Sequence, residues 1–363
     1  MNKKTGKLLF IVMLALSIFG VIMIYSSSSI WAEYKYGNSF KFLINQSIFL
    51  IIGLVIVYVL FKIDYHIYKK YANIILFICL SLLVLVLIPG IGQVRNGSRS
   101  WFGIGGLGIQ PSEISKLALI IFTSKYLSKN EKDMSSIKSG ILPILVVILT
   151  FFALIMLEPD FGTGMVITIT ILAMIFVSEA KLSFFSFIAI AGLAGIIGLI
   201  IIAPYRLARI ISFLNPWTDP LGSGFQIIQS LYAIGPGGLL GMGFMKSRQK
   251  YFYLPEPQTD FIFSIISEEF GFLGVIIVVT LFFLLFYLSM KIFFKTKDLF
   301  AKYLVFGLSF GIILQAILNL FVVTGLVPVT GVTLPFLSYG GSSLLVSMSC
   351  IGIILNIDKR DKY

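Results

Sequence analysis

Long apolar runs separated by short charged segments dominate this chain, and that alternation decides its fold class. Stretches of roughly 17–25 apolar residues carry a helix across about 30 Å of hydrocarbon. Such stretches predict ten spans, near residues 8–26, 43–61, 73–89, 113–128, 141–157, 161–178, 183–203, 272–290, 303–323 and 337–356. The expected fold is an all-α polytopic membrane protein, one membrane domain over 1–363, with a large loop at 204–271 between the seventh and eighth spans. The first span follows Lys3, Lys4 and Lys7 as a secretory leader would, but its apolar run is long and no small-residue cleavage site follows, so it is expected to stay.

Three polar interruptions break the pattern. Gly90–Pro111 holds too many glycines for a stable helix and predicts turns or a re-entrant interfacial element, with Trp101 and Phe102 at headgroup depth. Within 204–271, residues 221–234 have an apolar face at helical spacing, which suits either an interfacial amphipathic helix or a helix packed in a small subdomain. The third break, Thr324–Pro335, runs into Phe336-Leu337-Ser338-Tyr339-Gly340-Gly341-Ser342-Ser343. Irregular backbone at membrane depth needs protein or a water-filled cavity to satisfy it, so the spans are expected to surround a polar cavity.

Composition agrees: of 363 residues 58% are hydrophobic and 12% charged, with a mean hydropathy of +1.00. With the N-terminus inside, 18 of the 28 Lys and Arg residues fall in short segments on one side, which makes that side cytoplasmic and 204–271 extracytoplasmic. The net charge of +12 is then mostly topology, and no nucleic-acid partner is needed to explain it. Cys79 and Cys350 both fall in predicted spans, with no disulfide framework or zinc spacing. The only histidine, His66, lies in an inner loop, so acid–base chemistry on the outer face falls to carboxylates or lysine.

Candidate chemistry gathers on the outer side. Arg95, Arg99, Arg206, Arg209, Lys246, Arg248 and Lys250 run against the topological trend; singly each would serve as a snorkelling or ion-paired side chain, and together they suit phosphate groups. Glu113 and Lys116 lie three apart on one helical face, a pair that is either structural or linked to substrate. Asp160, in Glu158-Pro159-Asp160-Phe161-Gly162-Thr163, either caps the sixth span or acts directly. Asp260 follows Pro255-Glu256-Pro257 and precedes an apolar stretch. There desolvation would raise its pKa while Lys250 or Arg248 would lower it, as suits a general base; the alternative is an N-cap for the eighth helix.

Six ordered segments carry a resemblance. Asn96–Trp101, Gln110–Lys116, Glu158–Thr163, Phe213–Trp217, Thr259–Phe263 and Pro335–Ser342 resemble the SEDS (shape, elongation, division and sporulation) proteins RodA, FtsW and SpoVE over nearly the whole chain. Met23–Ser28 and Tyr253–Thr259 look closer to the division and sporulation branch than to RodA. The resemblance implies a ten-span peptidoglycan glycosyltransferase of the bacterial cytoplasmic membrane. Such an enzyme polymerises lipid II on the outer face, carries the nascent undecaprenyl-pyrophosphate glycan and works with a class B penicillin-binding protein. It also implies that Asp260, in Thr259-Asp260-Phe261, is the essential carboxylate.

On that basis Asp260 is expected to deprotonate the acceptor 4-hydroxyl. Arg99, Arg206, Arg209 and Lys250 would stabilise the departing pyrophosphate, and Glu113 and Lys116 would hold the fourth span against the catalytic loop. Trp101, Asp160 and Ser342 complete the expected substrate-binding set. No organic cofactor is expected; whether a divalent cation, Mg or Mn, shares the charge with Asp260 as a ligand stays open. Two rivals remain: a lipid II flippase, which the polar cavity would also suit although no inverted repeat is visible, and a non-catalytic scaffold for a transpeptidase.

Overall fold

The computed structural model describes residues 4–95, 97–104, 107–186, 188, 190, 192 and 213–360. Its helices are α1 (Lys4–Tyr36), α2 (Lys41–Lys62), α3 (His66–Leu87), α4 (Pro111–Lys129), α5 (Leu142–Leu157), α6 (Phe161–Val177), α7 (Phe225–Ile234), α8 (Ile262–Lys295), α9 (Leu299–Val323) and α10 (Gly341–Arg360). Among the described residues, seven helical stretches are long and apolar enough to cross a membrane: α1, α2, α3, Ile137–Leu157, α8, α9 and α10. The protein is a multi-pass membrane protein. α6 is apolar but shorter, α4 carries Glu113, Lys116, Lys125 and Lys129, and most of the expected seventh span, 183–203, lies outside the described residues.

Placement follows polarity. α2 and α3 turn Ile51, Val55, Phe77 and Ile78 outward, as lipid-facing helices must. α10 is the least apolar of the seven spans and the most enclosed, packed by α2, α9, α1 and α4. Being surrounded by protein, it carries Ser342, Ser343, Ser347, Ser349 and Asn356 without exposing them to hydrocarbon.

Two elements depart from the sequence-based expectations, and a third settles an open alternative. The glycine-rich 90–111 segment forms a small antiparallel sheet, β1 (Gln93–Arg95), β2 (Ser98–Ile104) and β3 (Leu107–Ile109), in the order β1-β2-β3; the fold is helical but not wholly α. The eighth helix starts at Ile262, ten residues before the expected span, because its first turns carry Ser264, Ser267, Glu268 and Glu269 and so read as loop. A break at Gly271 (φ 61°) joins this polar portion to the apolar one, and residues 237–243 fill the break. There Phe272 N donates to Gly238 O (2.8 Å), Met242 N to Glu268 O (2.9 Å) and Gly243 N to Glu269 O (3.0 Å). A side chain at Gly271 would collide with the Gly241 backbone. The helix expected at 221–234 is α7, and it takes the packed alternative: Ile227, Ile228 and Ala233 are buried against α8 and α9, and Ser230 Oγ donates to Val323 O (2.6 Å).

Candidate active site

The interruptions meet around one cavity of about 1320 Å³, lined by the α1–α2 turn, the sheet, α4, the α5–α6 turn, residues 255–260, α9 and 329–343. That exceeds the roughly 300–1,000 Å³ of ordinary small-ligand pockets. Asp260 lies on its wall, half-buried. Its segment is held on three sides: Thr259 N donates to Glu256 O (3.1 Å), Tyr339 N donates to Gln258 O (2.8 Å), and Asn319 Nδ2 donates to Asp260 O (2.7 Å). Glu256 occupies the left-handed region (φ 43°), a conformation that costs of order 1–3 kcal/mol and that the surrounding bonds must impose.

Asp260 does not cap α8, whose N-cap is Phe261. Its Oδ1 instead accepts from Thr259 Oγ1 (2.8 Å), and no Lys or Arg among the described residues lies within ion-pair distance of it. Burial pushes its carboxyl above the usual carboxylate range, the Thr259 bond draws it partly back, and the Glu256 charge pushes it up again. The expected lowering by Lys250 or Arg248 is absent. A carboxylate that reaches a cavity without a neutralising partner and holds its proton more tightly than usual suits general-base chemistry.

Across the cavity, Glu113 and Lys116 pair at 2.7 Å, and Lys116 Nζ also donates to Gln315 Oε1 on α9 (2.6 Å). Gln315 Nε2 donates to Thr333 O (2.9 Å), which ties α4 through α9 to the break before α10. Asp160 caps α6 by accepting from Thr163 N (3.1 Å), while its Oδ2 accepts from Gln110 Nε2 (2.9 Å) and Ser112 Oγ (3.1 Å). It therefore clamps α4 to α6 and lines the cavity as well. Trp101 lines the cavity from β2. Among the described residues no three His, Cys, Asp or Glu side chains gather to hold a metal.

The whole chain has known relatives. Residues 6–363 match the FtsW/RodA/SpoVE family model, described as a cell cycle protein. The chain belongs to the FtsW/RodA/SpoVE family. It is 50% identical to stage V sporulation protein E of Bacillus subtilis (strain 168), over all of both chains. It is 41% identical to the FtsW of Trichlorobacter lovleyi, named a probable peptidoglycan glycosyltransferase, over 96% of this chain and 92% of the relative. Among solved structures it is similar to a chain of a peptidoglycan synthase complex that coordinates polymerization and crosslinking (TM-score 0.81, 30% identity, 98% of this chain and 97% of that one). It is also similar to the rod shape determining protein RodA of Thermus thermophilus (TM-score 0.71, 26% identity, 98% and 97%).

Of the residues expected to bind substrate in this FtsW/RodA/SpoVE member, the cavity gathers Trp101, Glu113, Lys116 and Asp160 around Asp260. The other described ones lie elsewhere. Arg99 sits on β2 between Ser98 and Ser100, which line the cavity together with Trp101 while Arg99 does not. Ser342 is a brace, accepting from Gln110 N (3.0 Å) and donating to Gly108 O (3.2 Å), which pins β3 to the first turn of α10. Lys250 is sealed, 2% exposed, its Nζ 3.2 Å from Glu269 Oε1 and 3.5 Å from Ser26 Oγ on α1. Glu268 beside it accepts from Arg248 N (2.8 Å) and Ser247 Oγ (2.5 Å), so two buried acids hold the 247–250 turn. Arg206 and Arg209 lie outside the described residues.

Sequence reasoning missed Lys35 and Lys41, which line the cavity from the α1–α2 turn, although the argument from outer cations applied to them equally. It also missed Gln315 and Asn319. Two amides four residues apart in an apolar helix were the available signal, since polar groups inside a span need partners.

Proposed function

We infer that this chain is a peptidoglycan glycosyltransferase that polymerises lipid II on the outer face of the bacterial cytoplasmic membrane, with both termini cytoplasmic and ten spans around the central cavity. The single observation that carries the reading is Asp260, a carboxylate on a large cavity with no cation beside it among the described residues, in a chain whose relatives include proteins named probable peptidoglycan glycosyltransferases. In the proposed reaction Asp260 takes the proton of the acceptor 4-hydroxyl as that oxygen attacks the donor anomeric carbon. The bond from that carbon to the diphosphate oxygen breaks, the configuration inverts, and undecaprenyl diphosphate leaves with the bonding pair. Asn319 and Thr259 orient the base.

A divalent cation is a proposal of the same kind. The described residues offer no complete protein cage, whereas magnesium sites commonly use one or two carboxylates and complete the shell with substrate phosphates. Asp260 and Glu256, both on the cavity, fit that mode. The ion would add positive charge at the leaving diphosphate. The similarity to a synthase complex that couples polymerization to crosslinking supports a class B penicillin-binding protein as partner.

The test is polymerisation of lipid II by the purified chain with its transpeptidase and a divalent cation, comparing wild type with Asp260→Ala on a gel. Polymer from wild type alone is expected. If no partnered condition yields polymer, the reading fails, and lipid II translocation in vesicles then separates a flippase from a scaffold.

A further inference from the structure

A diphosphate leaving group needs positive charge, and among the described residues the cations that line the cavity are Lys35, Lys41 and Lys116. Lys116 is neutralised by Glu113 at 2.7 Å. Lys35 and Lys41 pair with no carboxylate among the described residues. Their ammonium groups rest on aromatic rings, Lys35 Nζ 4.4 Å from the Trp31 centroid and Lys41 Nζ 3.1 Å from the Tyr36 centroid. Such contacts hold a cation in place without cancelling its charge.

The rings also line the cavity and form one wall. Trp31 stands edge-on to Tyr36 (5.8 Å) and tilts against buried Phe42 (5.6 Å), which meets Tyr339 edge-on (4.8 Å). Tyr339 N in turn donates to Gln258 O, two residues before Asp260. The turn that carries the lysines is fixed by Phe40 N donating to Asn38 Oδ1 (2.9 Å) and by Gly37 in the left-handed region (φ 64°). Aromatic faces suit the apolar face of a pyranose, and unpaired ammonium groups suit phosphate oxygens; here the two chemistries adjoin on a wall bonded to the Asp260 segment.

We propose that the α1–α2 turn is a sugar-diphosphate subsite, in which Lys35 and Lys41 bind the diphosphate of a lipid-linked sugar and Trp31 and Tyr36 bear against the adjoining pyranose. The proposal rests on the glycosyltransferase reading above. The diphosphate belongs either to the donor or to the acceptor, and lipid II blocked at its 4-hydroxyl, which can only donate, tells them apart.

The experiment uses the full chain with its transpeptidase in nanodiscs and compares wild type with Lys35→Gln/Lys41→Gln and Lys35→Arg/Lys41→Arg. Removal of the charges is expected to lower kcat/KM about tenfold, for the blocked donor, where kcat falls because its diphosphate departs, or for the acceptor, where KM rises, with the arginine pair restoring it. Unchanged kcat/KM for both substrates overturns the proposal, as does an arginine pair no better than the glutamine pair. If wild type does not turn over, the glycosyltransferase reading fails on its own, and the subsite is judged by direct binding of undecaprenyl diphosphate to the chain carrying Asp260→Asn. A roughly tenfold loss on adding the glutamine pair supports it; equal binding overturns it.

Discussion

Two carboxylate sites flank the start of α8 and differ in almost everything except residue type. Asp260, two residues before the helix, lines the cavity and has a hydroxyl partner and, among the described residues, no cation. Glu269, seven residues into the helix, is 1% exposed and is saturated by Ser26 Oγ (2.7 Å), Ser247 N (3.3 Å) and Lys250 Nζ (3.2 Å). A saturated acid has no valence left for substrate and acts on position, drawing α1 and the 247–250 turn onto α8. An acid held by its backbone keeps its carboxylate for chemistry. Saturation, more than residue type, separates holding from reacting here.

The comparison breaks most sharply if the two sites respond alike to neutralisation. Asp260→Asn is expected to lower polymerisation about 10³-fold while the folded yield and thermal midpoint in detergent stay at wild-type values. Substantial residual turnover would sink the assignment of the base. Lys250→Met should do the reverse, lowering stability by about 3–5 kcal/mol because it leaves Glu269 buried and unpaired. Adding Glu269→Gln should recover much of that loss in a thermal melt, and a single variant as stable as wild type would show the pair to be idle.

A third carboxylate sharpens the contrast. Glu158 is fully buried with neither carboxyl oxygen hydrogen-bonded among the described residues, and burial, helped by the Asp160 charge, pushes it up to about 8. The folded state thus keeps a proton that the unfolded chain releases. Its contribution to stability is present in full below about 4.5 and is lost as pH rises toward 8. Glu158→Gln should flatten that decline in melts between these pH values; an unchanged slope would place the dependence elsewhere.

The smallest effect concerns Glu256. Polymerisation should rise with pH through a limb above the ordinary aspartate range, since the base works deprotonated and burial raises its pKa. Glu256→Gln removes a negative neighbour, so that limb should move to lower pH. No shift would mean that Glu256 and Asp260 do not feel one another.

Legibility followed sequence distance. The Glu113–Lys116 pair, the Asp160 cap and the break at 324–335 were readable because each rests on contacts within a turn or on the cost of irregular backbone at membrane depth. The sheet at 93–109 was not, since its glycine-rich strands show no alternation for a period-two reading to detect. Nor was the burial of Lys250, whose partners lie on α8 and α1, 19 and 224 positions away.

By itself the sequence determined a helical multi-pass membrane protein, because apolar length acts locally against lipid and water. It also placed the chain in its family through six ordered motifs and singled out Asp260. Only the tertiary structure decided which of the candidate cations line the cavity. Lys35 and Lys41 line it, whereas Lys250 is sealed against Glu269 and Arg99 does not line it. A charged residue's role depends on what packs around it, and packing between distant helices leaves no periodic trace in the chain.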